Sequence, residues 1–438
     1  MSDLFNKQAA TDNSRLAAGI GVAIPEIYLP RQGSDLFRWA VVACDQFTSQ
    51  PEYWQKVADI VGPAPSTHRL ILPELFLDCP GDLPVADRIR GINQAMSRYL
   101  SDGTLTSVGS GWIAIDRKTC RHTSRKGLLL AVDLNRYAFE PGNRQLIRAT
   151  EGTVLDRIPP RLEIRREAPL ELPHVQLLID DPGKTVIEPL FDALAAFSPV
   201  YDTPLMLEGG HIRGWMIPAD SPFIRQGLLA LSNLDSLRRY GLLFAVGDGN
   251  HSLATAKAHW QRIRDWVPAD HPARFALVEL INIHDTGLDF QPIHRVVFDL
   301  DPTVFLTQAK HFFADQDLVV SQGRPDMHSP DEHGFSLLWQ EQVWSFAVRK
   351  PQNNLAAGSL QDFLDQLVLK ENCRIDYIHG TDVVRGLARQ GHLGLLLPSI
   401  DKSSFIATIA RDGILPRKTF SMGEAAEKRY YMECRKIC

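Results

Sequence analysis

Residues 242–283 alternate two apolar runs of strand length with a glycine loop and a helical pattern. The first run, 242–246, is followed by Gly247 and Gly249, and a second run occupies 275–283. Between them, apolar residues recur at helical spacing from about 251 to 266. Short apolar runs bounded by glycine are typical of buried strands, whereas the 3.6-residue period is typical of a helix that buries one face. This unit favours layered α/β structure over a helical bundle.

Similar alternation along the chain predicts an α/β (α+β) fold of mixed sheets with flanking helices. Residues 39–43 predict a buried strand, and residues 111–115 and 127–133 predict the two arms of a hairpin. At 438 residues the chain is too long for one ordinary domain. We expect a flexible N-terminal tail over 1–18, an N-terminal α/β domain over 19–140, a central domain with the glycine loop over 141–300 and a C-terminal α/β domain over 301–438.

Composition and charge narrow the classes of partner. Hydrophobic residues make up 44% of the chain and charged residues 23%, as in globular proteins. The formal net charge of −5 provides no global attraction for nucleic acid or anionic lipid. The first 15 residues lack the apolar core of a signal peptide, and the apolar runs are too short to span a bilayer. We therefore expect a cytoplasmic protein that acts on a small molecule, with no nucleic acid and no membrane as partner.

The loop over residues 247–252 reads Gly-Asp-Gly-Asn-His-Ser. Gly247 and Gly249 permit tight turns, and Ser252 could cap the helix that follows. Exposed N–H groups at a helix start make a site for phosphate or another anion, to which Gly247, Gly249, Asn250 and Ser252 would contribute. The loop does not match a Walker sequence, and a carboxylate at Asp248 would repel the pyrophosphate of a dinucleotide.

Several ionisable residues in and after the loop could carry chemistry. Asp248 and His251 fit a metal-holding or acid/base pair beside a phosphate, although a plain turn with a surface histidine explains them equally well. Glu279 stands in an otherwise apolar run, where a carboxylate is costly to bury unless it is paired. His294 and Arg295 could contact phosphates, or could be satisfied core residues. No pair has zinc-ligand spacing, so we predict no structural metal.

Other candidate residues lie elsewhere in the sequence. Asp45 follows a predicted strand, and strand ends commonly border a ligand site, so it could act as a base or cation ligand. Arg148 and Glu151 belong to a charge-rich run that could bind phosphate or could be a solvated face. Lys418 lies in a short basic loop that could close over an anion or could be an exposed turn.

Five motifs lie in order at residues 42–46, 148–151, 247–252, 292–295 and 416–419. Together they resemble an uncharacterised bacterial and archaeal family known as "domain of unknown function ten-fifteen". The loop of that family usually reads Asp-Gly-His-His-Arg, and here Asn250 and Ser252 replace the first histidine and the arginine.

The loop in turn resembles that of the ParB and sulfiredoxin-like superfamily, some members of which are free-serine kinases. The resemblance implies a core of that type and nucleotide phosphates bound at the helix N-terminus. It makes residues 249–252 the phosphate cradle, with His251 as a side-chain contact and Asp248 as a cation ligand or base.

These features together predict a nucleotide- or phosphate-dependent enzyme of small-molecule metabolism. Its reaction would be phosphoryl transfer to or from a serine-like hydroxyl, with ATP, ADP or pyrophosphate and Mg²⁺ as possible cofactors. Asp248, His251, Asp45 and Glu279 are the predicted catalytic residues. The alternatives are a non-catalytic nucleotide-binding regulator of ParB-like type and a metal-dependent phosphoester hydrolase. The residues leave the metal requirement and the oligomeric state open.

Overall fold

The structure is a computed structural model that describes residues 2–77, 83–140, 142–152, 158–323, 329, 331–416 and 418–438. Contacts group the chain into two compact units: unit 1 comprises Met1–Asp289 and Gly423–Cys438, and unit 2 comprises Phe290–Met422. The predicted segments 19–140 and 141–300 both contribute strands to one sheet of unit 1. The four predicted domain ranges stay a prediction.

The described residues form helices and strands throughout both units. The helices are α1 Ser2–Gly19, α2 Leu36–Trp39, α3 Pro51–Val61, α4 Val85–Ser101, α5 Ile158–Arg166, α6 Glu188–Leu194, α7 Pro222–Ser232, α8 Asp235–Tyr240, α9 Asn250–Ile263, α10 Pro302–Phe312, α11 Ala356–Glu371, α12 Thr381–Arg389 and α13 Lys402–Asp412. The strands are β1 Val22–Ala23, β2 Glu26–Pro30, β3 Leu105–Lys118, β4 Arg125–Asp133, β5 Tyr137–Ala138, β6 Ile147–Arg148, β7 Leu170–Glu171, β8 Gln176–Ile179, β9 Tyr201–Leu205, β10 Gly210–Pro218, β11 Phe244–Asp248, β12 Phe275–Asn282, β13 Phe290–Pro292, β14 His294–Phe298, β15 Leu318–Gln322, β16 His333–Trp339, β17 Gln342–Val348, β18 Arg374–Ile378, β19 Leu393–Leu396, β20 Phe420–Met422 and β21 Arg435–Lys436.

A mixed sheet forms the centre of unit 1. Its strand order among the described residues is β5-β6-β11-β8-β12-β4-β3-β10-β9, with β1 on β4 and β2 on β3. β12 pairs in parallel with β8 and antiparallel with β4, so the sheet is neither purely parallel nor purely antiparallel. The hairpin predicted from residues 111–115 and 127–133 is confirmed, because β3 and β4 pair antiparallel with Ile113 opposite Leu129. The predicted α/β class with mixed sheets is therefore confirmed.

Each face of this sheet is covered by a separate apolar cluster. One face packs Leu177, Val246 and Val278 against residues of α1, α6, α7 and α9. The opposite face packs Ile115 and Leu129 against α3, α4 and the C-terminal segment, which we define as residues 424–438. Because both faces are covered, β4 is apolar along its length from residue 127 to 132 rather than alternating.

One local prediction differs from the structure. Residues 39–43 were predicted to be a strand, but Trp39 ends α2, and the segment that follows makes a single bridge from Val42 to Tyr430. The apolar run is buried as expected, but its backbone pairs with the C-terminal segment at one point. Residues 2–18 of the predicted N-terminal tail lie in α1, where Asn13 Nδ2 donates to the carbonyl of Ala219 at 2.8 Å, and the flexibility of the tail stays a prediction.

Unit 2 contains an antiparallel sheet with strand order β15-β17-β16-β19-β14-β18, again counted over the described residues. Phe305 of α10 and Phe363 of α11 pack against this sheet, with Phe346 of β17 in the same cluster. A short β13–β20 pair joins the two ends of the unit. Across the described parts of both units, no helix combines the length and apolar composition that a bilayer crossing requires.

Candidate functional site

A β-bulge at Gly247 directs the side chain of Asp248. Val246 lies opposite Leu177, but Asp248 lies opposite Gln176, so β11 uses two residues where β8 uses one. In a regular strand, residues 246 and 248 would face the same side. The bulge instead turns Asp248 away from the apolar cluster around Val246 and onto the face that carries Gln176.

Helix α9 begins directly after the bulge with Gly249 as its N-cap. Gly249 has a φ of 81°, and a Cβ there would lie 3.0 Å from Cα of Val175. The predicted capping role of Ser252 is wrong: Ser252 is already the third helical residue, and the N-cap position is occupied by Gly249, which has no side chain. The first N–H groups of a helix lack intrahelical acceptors, so this N-terminus has the properties of an anion site.

Asn250 fixes the start of α9 to a neighbouring loop. Its buried Oδ1 accepts from the backbone N–H of Thr150 at 3.2 Å, and Thr150 Oγ1 donates to the carbonyl of Val246 at 2.6 Å. These bonds place Glu151, the residue after Thr150, beside the loop. His251 is half-buried in the first turn of α9, and its carbonyl accepts from Thr255.

Asp248 forms an ion pair with a lysine from the C-terminal segment. Its Oδ2 lies 3.1 Å from Nζ of Lys428, and its Oδ1 accepts from the N–H of Gly249 at 3.0 Å. Lys428 is held there by the buried Arg117, which donates to the Lys428 carbonyl at 2.7 Å and to the carbonyl of Ala426 at 2.9 Å. An ammonium group is thus fixed beside the N-terminus of α9.

Glu279 lies in the same face of the sheet, within a chain of buried charges. Its Oε2 lies 3.4 Å from Nε of Arg429 and 3.5 Å from Nε2 of Gln176, while the other side of Arg429 contacts Glu433. Tyr201 donates to Glu433 at 2.5 Å. Burial disfavours the charge on Arg429, but the carboxylates of Glu433 and Glu279 outweigh burial and raise its pKa. Glu279 is therefore paired with a cation, as the cost of its burial requires.

Asp45 lies three residues after Val42, whose backbone forms a bridge with Tyr430. It is half-buried, and its Oδ1 accepts from Gln46 at 2.9 Å. The preceding Cys44 donates its backbone N–H to the hydroxyl of Tyr431, which lies 2.9 Å from Nδ1 of His174. Burial, together with the charge of Asp45, raises the pKa of the Cys44 thiol to about 12, so it is no thiolate nucleophile at neutral pH.

Arg148 lies at the opposite end of β11 from Asp248. Its guanidinium donates to the carbonyls of Gln145 at 2.9 Å and Tyr240 at 3.0 Å. Tyr240 ends α8, before β11 begins, whereas the glycine loop follows the end of β11. The structure therefore gives Arg148 a role in joining loop backbones and does not bring it to the glycine loop.

His294, Arg295 and Lys418 belong to unit 2. Nδ1 of His294 accepts from the N–H of Leu397 at 3.2 Å, and burial, followed by the charge of Arg295, lowers the pKa of His294 to about 4. Arg295 is fully buried and contacts Gln361 at 3.4 Å. Both side chains are therefore engaged in contacts inside unit 2. Lys418 is exposed with a φ of 55°, and the preceding residue of the predicted basic loop, Arg417, lies outside the described residues.

Sequence reasoning missed the basic residues that complete the site. Lys428 and Arg429 come from a segment with no regular period, and Arg117 and Arg125 lie just outside the hairpin arms predicted over 111–115 and 127–133. The signal that could have found the first two is the run Lys-Arg-Tyr-Tyr at 428–431, which combines cations with large aromatic rings near the chain end. Within the residues that the structure describes, no three His, Cys, Asp or Glu side chains gather as a ready metal site.

Three solved structures are similar to this chain at low sequence identity. A search of solved structures finds a free serine kinase in complex with AMP, with a TM-score of 0.37 and 10% identity, over 70% of this chain and 92% of that chain. It also finds a conserved hypothetical protein from Pyrococcus furiosus, with a TM-score of 0.33 and 11% identity over 69% and 90% of the two chains. C-terminally truncated SbnI from Staphylococcus aureus has a TM-score of 0.34 and 10% identity over 67% and 82%.

A comparison with curated proteins finds no match. The comparison with protein families does find one, described as "Protein of unknown function (DUF1015)", which matches residues 27–367. This range includes Asp45, the glycine loop and Glu279, and it ends before the C-terminal segment that supplies Lys428. Since the match covers most of the 438 residues, the chain belongs to the DUF1015 family.

Proposed function

We propose that unit 1 binds the phosphates of a nucleotide at the N-terminus of α9. The observation that carries this proposal is the position of Lys428 Nζ, 3.1 Å from Asp248, beside the start of α9, where the N-cap residue is Gly249. Helix N–H groups and a fixed ammonium together favour a negatively charged ligand. The resemblance of the loop to nucleotide-binding members of the ParB and sulfiredoxin-like superfamily supports a nucleotide as the source of the phosphates.

Phosphates bound at this site would lie close to the negatively charged carboxylate of Asp248, so a cation is needed to reduce the repulsion. Mg²⁺ in proteins is commonly held by one or two carboxylates together with substrate phosphates, and Asp248 fits that part. The ion would neutralise phosphate charge and relieve its repulsion from the carboxylate. His251, in the first turn of α9, fits a contact to the phosphates.

The proposed reaction is phosphoryl transfer from a nucleoside polyphosphate to the hydroxyl of a small molecule, of serine-like type. The hydroxyl oxygen attacks the terminal phosphorus while a carboxylate takes its proton, and the bond to the leaving nucleotide oxygen breaks. With Asp248 assigned to the metal ion, Asp45, the other half-buried carboxylate among the predicted catalytic residues, is the candidate base. Phosphoryl transfer demands mainly positioning and charge stabilisation, which these residues supply.

The test compares Lys428→Ala with Lys56→Ala, which alters an exposed lysine on α3. ADP and ATP binding, with Mg²⁺, would be measured by isothermal titration calorimetry on the full chain. Loss of a hydrogen bond to a charged group costs about 1.5–3 kcal/mol, so Lys428→Ala should weaken binding by roughly tenfold to a hundredfold. Lys56→Ala should bind as the unmodified chain does, and equal affinities in both variants would contradict the proposed site.

A turnover assay separates the enzyme from its two alternatives. We expect phosphate transfer from ATP, ADP or pyrophosphate to a hydroxyl acceptor, lost in His251→Ala while the variant remains folded. Nucleotide binding without turnover would favour a regulator of ParB-like type. Release of phosphate from phosphoserine without nucleotide would favour a phosphoester hydrolase.

A further inference from the structure

Arg125 begins β4 with its guanidinium inside unit 1. The residue is 2% exposed, and its Nε and Nη2 have no hydrogen-bond partner among the described residues. Buried polar groups are nearly always bonded, and an unbonded buried cation is costly. Nε and Nη2 present parallel N–H groups along one edge of the guanidinium, which suits the two oxygens of a carboxylate. Arg125 therefore offers a pair of donors to a planar anion.

Two acceptors on the same face of the sheet also lack partners within the described structure: Oε1 of Glu279 and Oε1 of Gln176. The Oε1 atom of Glu279 reaches toward β4, because a Cβ on Gly127 would lie 2.5 Å from it. Gly127 is two residues after Arg125 on that strand. The other oxygen of Glu279 is already held by Arg429 and Gln176. Unused acceptors and unused donors thus occur together in one buried region.

Arg117 adds a second positive charge beside Arg125, while the carboxylate of Glu427, which interacts electrostatically with Arg125, is already bonded to Thr119 and to the N–H of Glu424. Arg117 lies opposite Arg125 in the β3–β4 register, and its Nε is likewise without a partner among the residues described. Burial, followed by the positive charge of Arg125, lowers the pKa of Arg117. An anion bound between the guanidinium groups would reduce their repulsion and supply the missing acceptors.

We propose that Arg125, Glu279 and Gln176 bind a small carboxylic acid that carries a hydroxyl or ammonium group close to its carboxylate. Arg125 takes the carboxylate, and the free oxygens of Glu279 and Gln176 accept from the hydroxyl or ammonium. Gln176 lies opposite Asp248 in the β8–β11 register, so this region adjoins the phosphate site. Such an acid would be the acceptor substrate of the phosphoryl transfer. Its role as acceptor rests on the proposed function, whereas its binding does not.

The test is calorimetric titration of the full chain with three matched probes, each with and without ADP. Glycerate carries a carboxylate and hydroxyls, serine adds an ammonium, and ethanolamine lacks the carboxylate. We expect glycerate or serine to bind and ethanolamine not to bind. Glu279→Gln should weaken serine more than glycerate, because it removes the charge that an ammonium group would meet. If neither carboxylic acid binds in either condition, the unpartnered atoms contact water only and the inference is overturned.

Arg125→Gln is compared with Arg213→Gln, which alters a half-exposed arginine of β10 that pairs with Asp116. The first variant should weaken carboxylate binding by roughly tenfold to a hundredfold, and the second should leave it unchanged. Arg125→Lys keeps the charge but loses the paired donors, so it must weaken binding even if Arg125→Gln does not fold. Undiminished affinity in the folded variants overturns the inference. Loss of nucleotide binding alone in Lys428→Ala leaves this inference standing, so the two proposals fail separately.

Discussion

Gly247 and Gly249 are separated by one residue and serve different purposes. Gly247 occupies the bulge that reverses the side on which Asp248 emerges, and Gly249 takes the left-handed conformation from which α9 starts. The sequence predicted that glycines would allow a tight loop, but the reversal depends on the pairing with β8. Strand pairing between residues about 70 positions apart cannot be inferred from the loop itself.

Replacing Gly249 by alanine should destabilise the chain more than replacing Gly241. Both are left-handed, with φ of 81° and 57°, and that conformation costs a non-glycine residue about 1–2 kcal/mol. Gly241 has open space around its Cβ position, whereas a Cβ on Gly249 would lie 3.0 Å from Val175. Urea unfolding should therefore show a clearly larger loss for Gly249→Ala. Equal losses would mean that the approach to Val175 is relieved by small shifts.

Residues with a high cost of burial were the ones that sequence analysis identified best. Glu279 was selected because a carboxylate in an apolar run needs a partner, and it has one in Arg429. The identity of that partner, 150 residues away, could not be predicted from the sequence. His294 and Arg295 were selected as possible phosphate contacts, but their side chains are used inside unit 2. Their alternative interpretation as core residues fits the structure.

At the scale of elements, period and length predicted β11, α9 and the β3–β4 hairpin, because each buries an apolar face along a regular repeat. The C-terminal segment was not predicted. Apart from the two-residue pairing of β21 with β7, its contacts come from single side chains and isolated bridges, such as Trp39 Nε1 donating to the carbonyl of Met432 at 2.9 Å. Such a segment has no period, so its position depends on the sheet that it covers.

The sheet of unit 2 should lose stability in mild acid. His294 on β14 and His333 on β16 are buried, and burial lowers the pKa of each to about 4. An unfolded histidine has a pKa near 6.5, so the unfolded chain binds more protons between these values. The stability that the two neutral histidines contribute is complete above pH 6.5 and is lost as the pH falls toward 4. From pH 7 to pH 5 each histidine should cost about 2 kcal/mol.

Urea unfolding at pH 7 and pH 5 tests this with His333→Gln and, as a control, His311→Gln, which alters an exposed histidine of α10. The loss between the two pH values should shrink by about 2 kcal/mol in His333→Gln and stay unchanged in the control. If both variants keep the full pH dependence, the buried histidine is not its source.

In the whole molecule, candidate residues that are far apart in the sequence belong to the same unit. Asp45, Asp248, Glu279 and Lys428 come from both ends and the middle of the sequence, yet all belong to unit 1, because the C-terminal segment returns to the sheet after unit 2. A division by sequence position alone assigns residue 428 to a C-terminal domain. The insertion of unit 2 between residues 289 and 423 explains why the basic partner of the glycine loop was overlooked.

Hydrogen exchange over the whole chain can test this distribution. With nucleotide at about a hundred times its dissociation constant, the bound state gains about 2.7 kcal/mol, so amides that exchange through opening of the site should slow by roughly a hundredfold. We expect this protection in peptides covering 244–256, where helix N–H groups would meet phosphate, and 424–431, which carries Lys428. Peptides from α1 and from β9 serve as internal controls without a proposed contact. Protection that omits 244–256 would contradict the assignment of the phosphates to α9, because the N–H groups that bind them could not exchange freely while the ligand is bound.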